Sequence, residues 1–177
     1  MIYDVSRLLE QTIGVSCRCE IEGHLVDIDE SNPGITCLAG TVRFTRTVEG
    51  ILARGEVHLV MTRRCCRCLE SFEDRIEFSF EEEFVPSADV ETGASLPIEE
   101  EHDEDLVIGP EGALDLREIL RQYTVMASSA PAVGDPDCKG LCPICGVNLN
   151  EESCDCERSF IDPRMAVLGQ LLEEEKT

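Results

Sequence analysis

Apolar side chains fall on every second position over three stretches of the first half of the chain. Leu38, Val42, Phe44 and Val48 do so between Ile35 and Val48, with Arg43, Thr45 and Arg46 interleaved. Ala53, Gly55, Val57, Leu59 and Met61 carry the period from Ile51 to Met61. Phe72, Ile76, Phe78, Phe80 and Phe84 resume it, set against Glu73, Glu77, Glu81 and Glu83. A period of two sends alternate side chains to opposite faces of a strand. The third strand therefore presents one apolar and one acidic face. Glu49-Gly50 punctuates the first two stretches and predicts a β-hairpin. Val15, Cys17, Cys19 and Ile21 predict another strand over 15–21. Ser6-Arg7-Leu8-Leu9 fits either a short helix or an edge strand. Strands adjacent in sequence pair readily, so the core is expected to be an antiparallel sheet.

The period then lengthens. Leu116, Ile119, Leu120, Tyr123 and Met126 form one stripe at helical spacing, predicting a helix over 114–126 with Asp115 at its start. Between sheet and helix, residues 85–112 hold Pro86, Gly93, Pro97, Gly109 and Pro110, and read as a long irregular loop. Residues 128–136 read as a linker. Asp162-Pro163 suits an N-cap followed by proline at the first helical position, and Met165, Leu168, Leu171 and Leu172 give a last helix its apolar stripe. The expected class is α+β. An antiparallel core with its acidic loop and helix spans 1–127, and a cysteine module spans 128–177, with the last helix packed on the core.

Charge sharpens this picture. The 177 residues carry a net charge of −22, unevenly spread. Residues 70–105 hold 15 acids against one base, and Glu99-Glu100-Glu101-His102-Asp103-Glu104-Asp105 is the densest run. Such a chain is repelled by phosphate backbones and drawn to basic proteins. A solvated loop that keeps the protein in solution is the plainer alternative. The start, Met1-Ile2-Tyr3-Asp4-Val5, has no basic n-region, and no stretch reaches the roughly 20 apolar residues that span a bilayer. A soluble, cytoplasmic protein is expected, in which thiols stay reduced.

The chain has 11 cysteines, an odd number that argues against a full disulfide framework. Five of them lie within 19 polar, glycine-containing residues: Cys138, Cys142, Cys145, Cys154 and Cys156. Cys142-Pro143-Ile144-Cys145-Gly146 spaces two thiolates around a tight turn, which the proline and glycine favour. With Cys154 and Cys156 they complete a tetrahedral zinc site that has no open position for catalysis. Upstream, Cys65-Cys66-Arg67-Cys68 repeats the spacing, and Cys65, Cys68 and Cys138 suggest a second site. Its fourth ligand is left open among Cys66, His58, His102 and water, and Cys138 could instead join the first site. Redox dithiols would call for a βαβ context that the strand pattern denies. Cys17, Cys19 and Cys37 are expected to pack as small apolar residues. The pattern contains no Ser-His-Asp arrangement and no phosphate loop.

In this order, several motifs resemble one family. They are Cys65-x-x-Cys68-Leu69-Glu70, Leu114-Asp115-Leu116-Arg117-Glu118-Ile119-Leu120, Cys138-x-Gly140-Leu141-Cys142-Pro143-x-Cys145-Gly146-x-Asn148-Leu149-Asn150, Cys154-x-Cys156 and Asp162-Pro163-Arg164-x-x-x-Leu168. Together they resemble the bacterial YceD family, over roughly residues 40 to 172. Its members are named for accumulation of large-subunit ribosomal RNA, and relatives occur in chloroplasts. The family pattern often has a further cysteine four residues before the position of Cys138. Gly134 stands there in this chain, which removes the natural fourth ligand of the second site.

The resemblance implies a role in making or maintaining the large ribosomal subunit, without a molecular mechanism. The charge favours a non-enzymatic factor that binds a basic ribosomal protein or another assembly factor. The competing reading is a zinc protein that binds RNA directly through Arg63, Arg64 and Arg67, the one basic cluster visible along the chain. An enzyme, thiol-based or RNA-processing, is the weakest of the three.

Overall fold

The computed structural model describes residues 1–25, 36–89, 92, 94–96 and 103–156, and all structural statements below concern these. The last helix, His102 and Glu99 to Glu101 lie outside them. The chain divides into two compact units, Met1–Cys65 with Glu70–Gly134, and Cys66–Leu69 with Asp135–Thr177.

The first unit is built on a five-stranded sheet. β2 (Ser16–Leu25), β3 (Thr36–Arg46), β4 (Ile51–Arg64) and β5 (Ser71–Pro86) form an antiparallel meander, with a short β6 (Val107–Ile108) parallel to the end of β5. The register follows the alternation in the sequence. Phe44 faces Ala53, Val57 faces Phe78, Leu59 faces Ile76, and Ile51 faces Phe84, all on one face. Ile21, Val42, Phe44, Ile51, Ala53 and Phe84 are fully buried there. Gly55 lies opposite Phe80, and a Cβ at that glycine would come within 2.4 Å of the Phe80 ring, so the ring lies where a side chain would be.

β1 (Ile2–Asp4) and β7 (Ala113–Asp115) form a separate two-stranded sheet. Between them in sequence, α1 (Ser6–Leu9) is a single turn that buries Leu8 and Leu9. α2 (Arg117–Ser128) lays Leu120, Ile119 and Thr124 into the same core, with Leu116 buried just before it. Thr124 satisfies its hydroxyl on the Leu120 carbonyl at 2.7 Å. Tyr123 stacks near Phe78, with ring centroids 6.0 Å apart, and its hydroxyl donates to Glu82 at 2.8 Å.

Three expectations are corrected. Ala113–Asp115 is strand, and the helix begins only at Arg117. Pairing with Ile2–Asp4 draws Leu114 and Asp115 into the strand, and the Asp115 carboxylate accepts the Arg117 backbone N–H at 3.0 Å. Met126 is 66% exposed at the edge of the helix stripe, and Thr124 is buried in its stead. The segment after β5 is less irregular than its prolines and glycines suggest. It contains β6, a 3₁₀ turn at Glu104–Leu106 and a bridge between Ala88 and Ser95. Among the described residues, no helix is long and apolar enough to cross a membrane.

Candidate metal centre

The second unit is shaped by Cys-x-x-Cys turns. In the first, the Cys142 N–H donates to the Val147 carbonyl at 2.8 Å and the Gly146 N–H to the Cys142 carbonyl at 2.9 Å. Gly146, directly after the second cysteine, has φ +75°. The turn is closed by a bridge between Leu141 and Asn148. A chain folded back this sharply leaves both sulfurs on one side.

Cys154 and Cys156 complete the group: the four sulfurs of Cys142, Cys145, Cys154 and Cys156 all lie within 4.8 Å of one another. Around a tetrahedral zinc with Zn–S bonds near 2.3 Å, sulfurs sit about 3.8 Å apart, a spacing that falls within this limit. The electrostatics suit a cation. The backbone N–H groups of Cys145 and Ile144 hold the Cys142 thiol down at about 6. The Cys156 thiol is pushed up to about 12, first by its hydrogen bond with Cys145, then by burial and by Cys154 and Cys142. Four sulfurs this close resist a second negative charge, and a divalent cation at their centre would let all four ionise.

The turn Cys65–Glu70 repeats the same backbone design. Its first cysteine donates N–H to the carbonyl five residues on, Cys65 to Glu70 at 2.8 Å, and Leu69 after the second cysteine has φ 65°. Leu69 is the one non-glycine residue with positive φ among the described residues. Cys68 and Cys138 both belong to the second unit, and Cys65 is the residue from which the chain enters it. The sulfurs of the three lie within 4.8 Å of one another, and all three residues are buried. Within the unit, the Leu141 N–H donates to the Arg67 carbonyl at 3.0 Å, and Arg67 Nη1 donates to the carbonyls of Cys138 at 3.0 Å and Pro136 at 3.2 Å. Gly140, with φ +74°, permits this approach: a Cβ there would lie 3.1 Å from the Arg67 carbonyl oxygen.

Among the described residues, the candidates Cys66 and His58 for a fourth ligand are not in this group. Cys66 is exposed, and His58 pairs its Nδ1 with Glu77 at 3.1 Å on the sheet. Gly134 packs on Phe72, where a Cβ would come within 2.9 Å of the ring. Sequence reasoning missed Asn150. Its Nδ2 donates to the Cys138 sulfur at 3.2 Å, while its Oδ1 accepts the Lys139 N–H at 2.8 Å. Such a donor orients a metal-binding sulfur and eases its negative charge. The signal was its fixed place in the long cysteine motif. Among the upstream cysteines, only Cys19 packs against the core. Cys17 and Cys37 are exposed, and the Cys37 sulfur meets His24 Nδ1 at 3.3 Å.

The basic cluster is largely spent on structure. Arg63 is paired with Asp74 at 2.7 Å and donates to the carbonyls of Ser128 and Ala130. Arg67 is bound to Pro136 and Cys138 as above, and Arg64 alone stays on the exposed face of β4.

An antiparallel sheet joined to a cysteine module with two such turns defines an α+β protein with cysteine groups fit to hold a metal ion. The chain belongs to the YceD family, whose model, described as large ribosomal RNA subunit accumulation protein YceD, matches residues 53–172. A protein of Arabidopsis thaliana named large ribosomal RNA subunit accumulation protein YCED homolog 1, chloroplastic, is 28% identical over 97% of this chain. The chain spans 57% of that relative's length. An uncharacterized protein of Mycobacterium tuberculosis strain H37Rv is 30% identical over 99% of the chain and 83% of its own length. No solved structure matches.

Proposed function

We propose that this protein is a non-enzymatic factor of ribosome biogenesis that supports accumulation of large-subunit ribosomal RNA by binding a basic ribosomal protein or assembly factor in the cytoplasm. The family's name supports the process. The observation that carries the binding mode is the acidic face of β5. Glu73, Glu77 and Glu81 stand exposed at every fourth position along it. The acid-rich segment to Asp105 follows directly, and Asp103, Glu104 and Asp105 are all exposed. Burial, slight as it is, and then Asp103, Glu118 and Glu104 raise the Asp105 carboxyl, as expected where like charges crowd. Crowding of this kind costs stability and is relieved by a cationic partner.

Cys142, Cys145, Cys154 and Cys156 hold a structural zinc in this reading, and Cys65, Cys68 and Cys138 form a second, three-cysteine site. Zinc fixes the module and takes no part in chemistry, because four thiolates leave it no open position. Direct RNA binding through Arg63, Arg64 and Arg67 is disfavoured, since two of the three guanidiniums are committed to internal partners. Affinity capture before and after nuclease treatment tests the proposal. A Lys/Arg-rich ribosomal protein or assembly factor should stay bound after the RNA is destroyed. Loss of every partner on nuclease treatment would replace this reading with the RNA-binding one.

A further inference from the structure

Strand register assembles a second basic cluster that is invisible along the chain. Arg18 on β2 faces Arg43 on β3, and Arg43 faces Arg54 on β4. All three point away from the core and are exposed. Side chains directly opposite on neighbouring strands have Cβ atoms about 5 Å apart, and like charges placed so are destabilising. A chain with 15 bases in 177 residues and a net charge of −22 has nevertheless lined up three in one row.

Their compensation is incomplete. Arg54 donates from Nε to Glu81, the next residue in the row, at 2.7 Å. Arg18 donates only to the neutral Thr41 hydroxyl, at 3.0 Å. Among the described residues, Arg18 and Arg43 make no ion pair. The three arginines, Thr41, Gly55 and Glu56 line a surface cleft of about 310 Å³. The Gly55 backbone also lines it, and the Thr41 hydroxyl is a further polar group at its wall.

We propose that this cleft is a binding site for a phosphomonoester group. Two uncompensated guanidiniums, each a planar fork of N–H donors, match the two charges and several oxygens of a terminal phosphate. The surroundings set the size of the ligand. Glu20 and Glu56 occupy the adjacent row on one side, and Glu81 and Glu83 stand on the neighbouring strand. This acidic rim repels an extended polyanion whose charges run past the arginines, and admits a compact dianion placed between them. The group can arrive on a mononucleotide or at the 5′ end of an RNA.

Titration of the full-length protein, at fixed ionic strength, with inorganic phosphate, uridine 5′-monophosphate and one oligoribonucleotide carrying either a 5′-phosphate or a 5′-hydroxyl tests the site. Calorimetry should give one site per chain, with NMR shifts at the side-chain Nε groups of Arg18 and Arg43. Arg43→Gln should weaken binding at least tenfold and Arg43→Lys by less, while Arg64→Gln changes nothing. Removing a repelled charge should leave Arg43→Gln folded, with a melting temperature no lower than the parent's, so lost binding cannot be put down to lost structure. Tighter binding of uridine monophosphate than of 5′-phosphorylated RNA assigns the site to small phosphorylated molecules, and the reverse assigns it to RNA ends. Either result supports the proposal. It is overturned if no probe binds at this cleft, or if the 5′-hydroxyl RNA binds as tightly as its phosphorylated twin.

Discussion

Leu69 and Gly146 occupy the same backbone state, φ 65° and 75°, each one residue after the second cysteine of a Cys-x-x-Cys turn. In both turns, the first cysteine donates its N–H to the carbonyl five residues on. Glycine reaches this state freely, whereas a residue with a Cβ is strained there by roughly 1–2 kcal/mol. Leu69 is 60% exposed, so it gains little from packing in return. Leu69→Gly should therefore stabilise the metal-loaded protein by about 0.5 kcal/mol, the strain relieved less the entropy glycine loses on folding. Gly146→Leu should cost roughly 1–2 kcal/mol. Thermal denaturation of the two variants should shift in opposite directions, and a shift of the same sign in both would break the equivalence of the turns.

The four-sulfur group predicts zinc. Purified, reduced protein should carry at least one tightly held ion per chain. Cys142→Ser or Cys145→Ser should release it and loosen residues 138–156, because a site absent from the unfolded chain couples binding to folding at about 10–16 kcal/mol. The amides of β3, β4 and β5 should keep their protection from hydrogen exchange. Elemental analysis that finds no zinc in the parent protein refutes the site outright.

The three-cysteine group makes a separate claim. If it binds a second ion, Cys68→Ser should reduce the zinc content by one without touching the first site, and Cys138→Ser should do the same. Asn150→Ala removes the N–H donor on the Cys138 sulfur and should weaken that second ion about 10- to 100-fold, the usual cost of losing an outer-shell partner. Competition with a chelator measures this. Unchanged zinc content in both cysteine variants would leave the turn as a structural dithiol.

Asp115 links β7 to α2 and contributes to the acid side of the stability profile. Burial alone would raise its carboxyl. Hydrogen bonds from the Arg117 side chain and backbone and from the Met1 amino group outweigh this and bring it to about 2. A folded value below the unfolded one of about 3.9 contributes stability that is full above about pH 5 and lost as the pH falls towards 2. The side chain is 37% exposed, so solvent screening reduces the effect to about 1 kcal/mol. Asp115→Asn should destabilise by that amount at neutral pH, with the two stability curves converging near pH 2. A gap independent of pH would assign the loss to packing.

The strands β3, β4 and β5 were legible because each is long and half-buried, so that burial writes itself as alternation. Ala113–Asp115 was misread for the opposite reason. Three residues are too few to show a period, and their partner, Ile2–Asp4, lies at the other end of the unit's sequence. The four-sulfur group could be read off because its cysteines are close in sequence and glycine and proline mark the turn. Asn150 stood in the long cysteine motif, but its bond to the Cys138 sulfur is set by the fold and is not written in the spacing. The row Arg18, Arg43, Arg54 could not be read at all without the register, which brings together residues scattered over 37 positions. The same register showed Cys37 on the outer face, where its small apolar character had suggested burial.

The acid-rich segment that ends at Asp105 bears on binding kinetics. Exposed charges at the rim of an interface steer the encounter more than they hold the complex, so their removal acts mainly on the association rate. Replacing Glu99, Glu100, Glu101, Asp103, Glu104 and Asp105 by neutral residues should slow binding of a basic ribosomal protein, while the dissociation rate changes little. The parent complex should also associate more slowly as salt rises, because screening shortens the reach of the field to about 8 Å at physiological ionic strength. Naked ribosomal RNA should bind more weakly than the protein partner at every salt concentration. Nanomolar binding to that RNA, together with unchanged association of the neutralised variant, would show that the acidic segment serves only to keep the chain in solution.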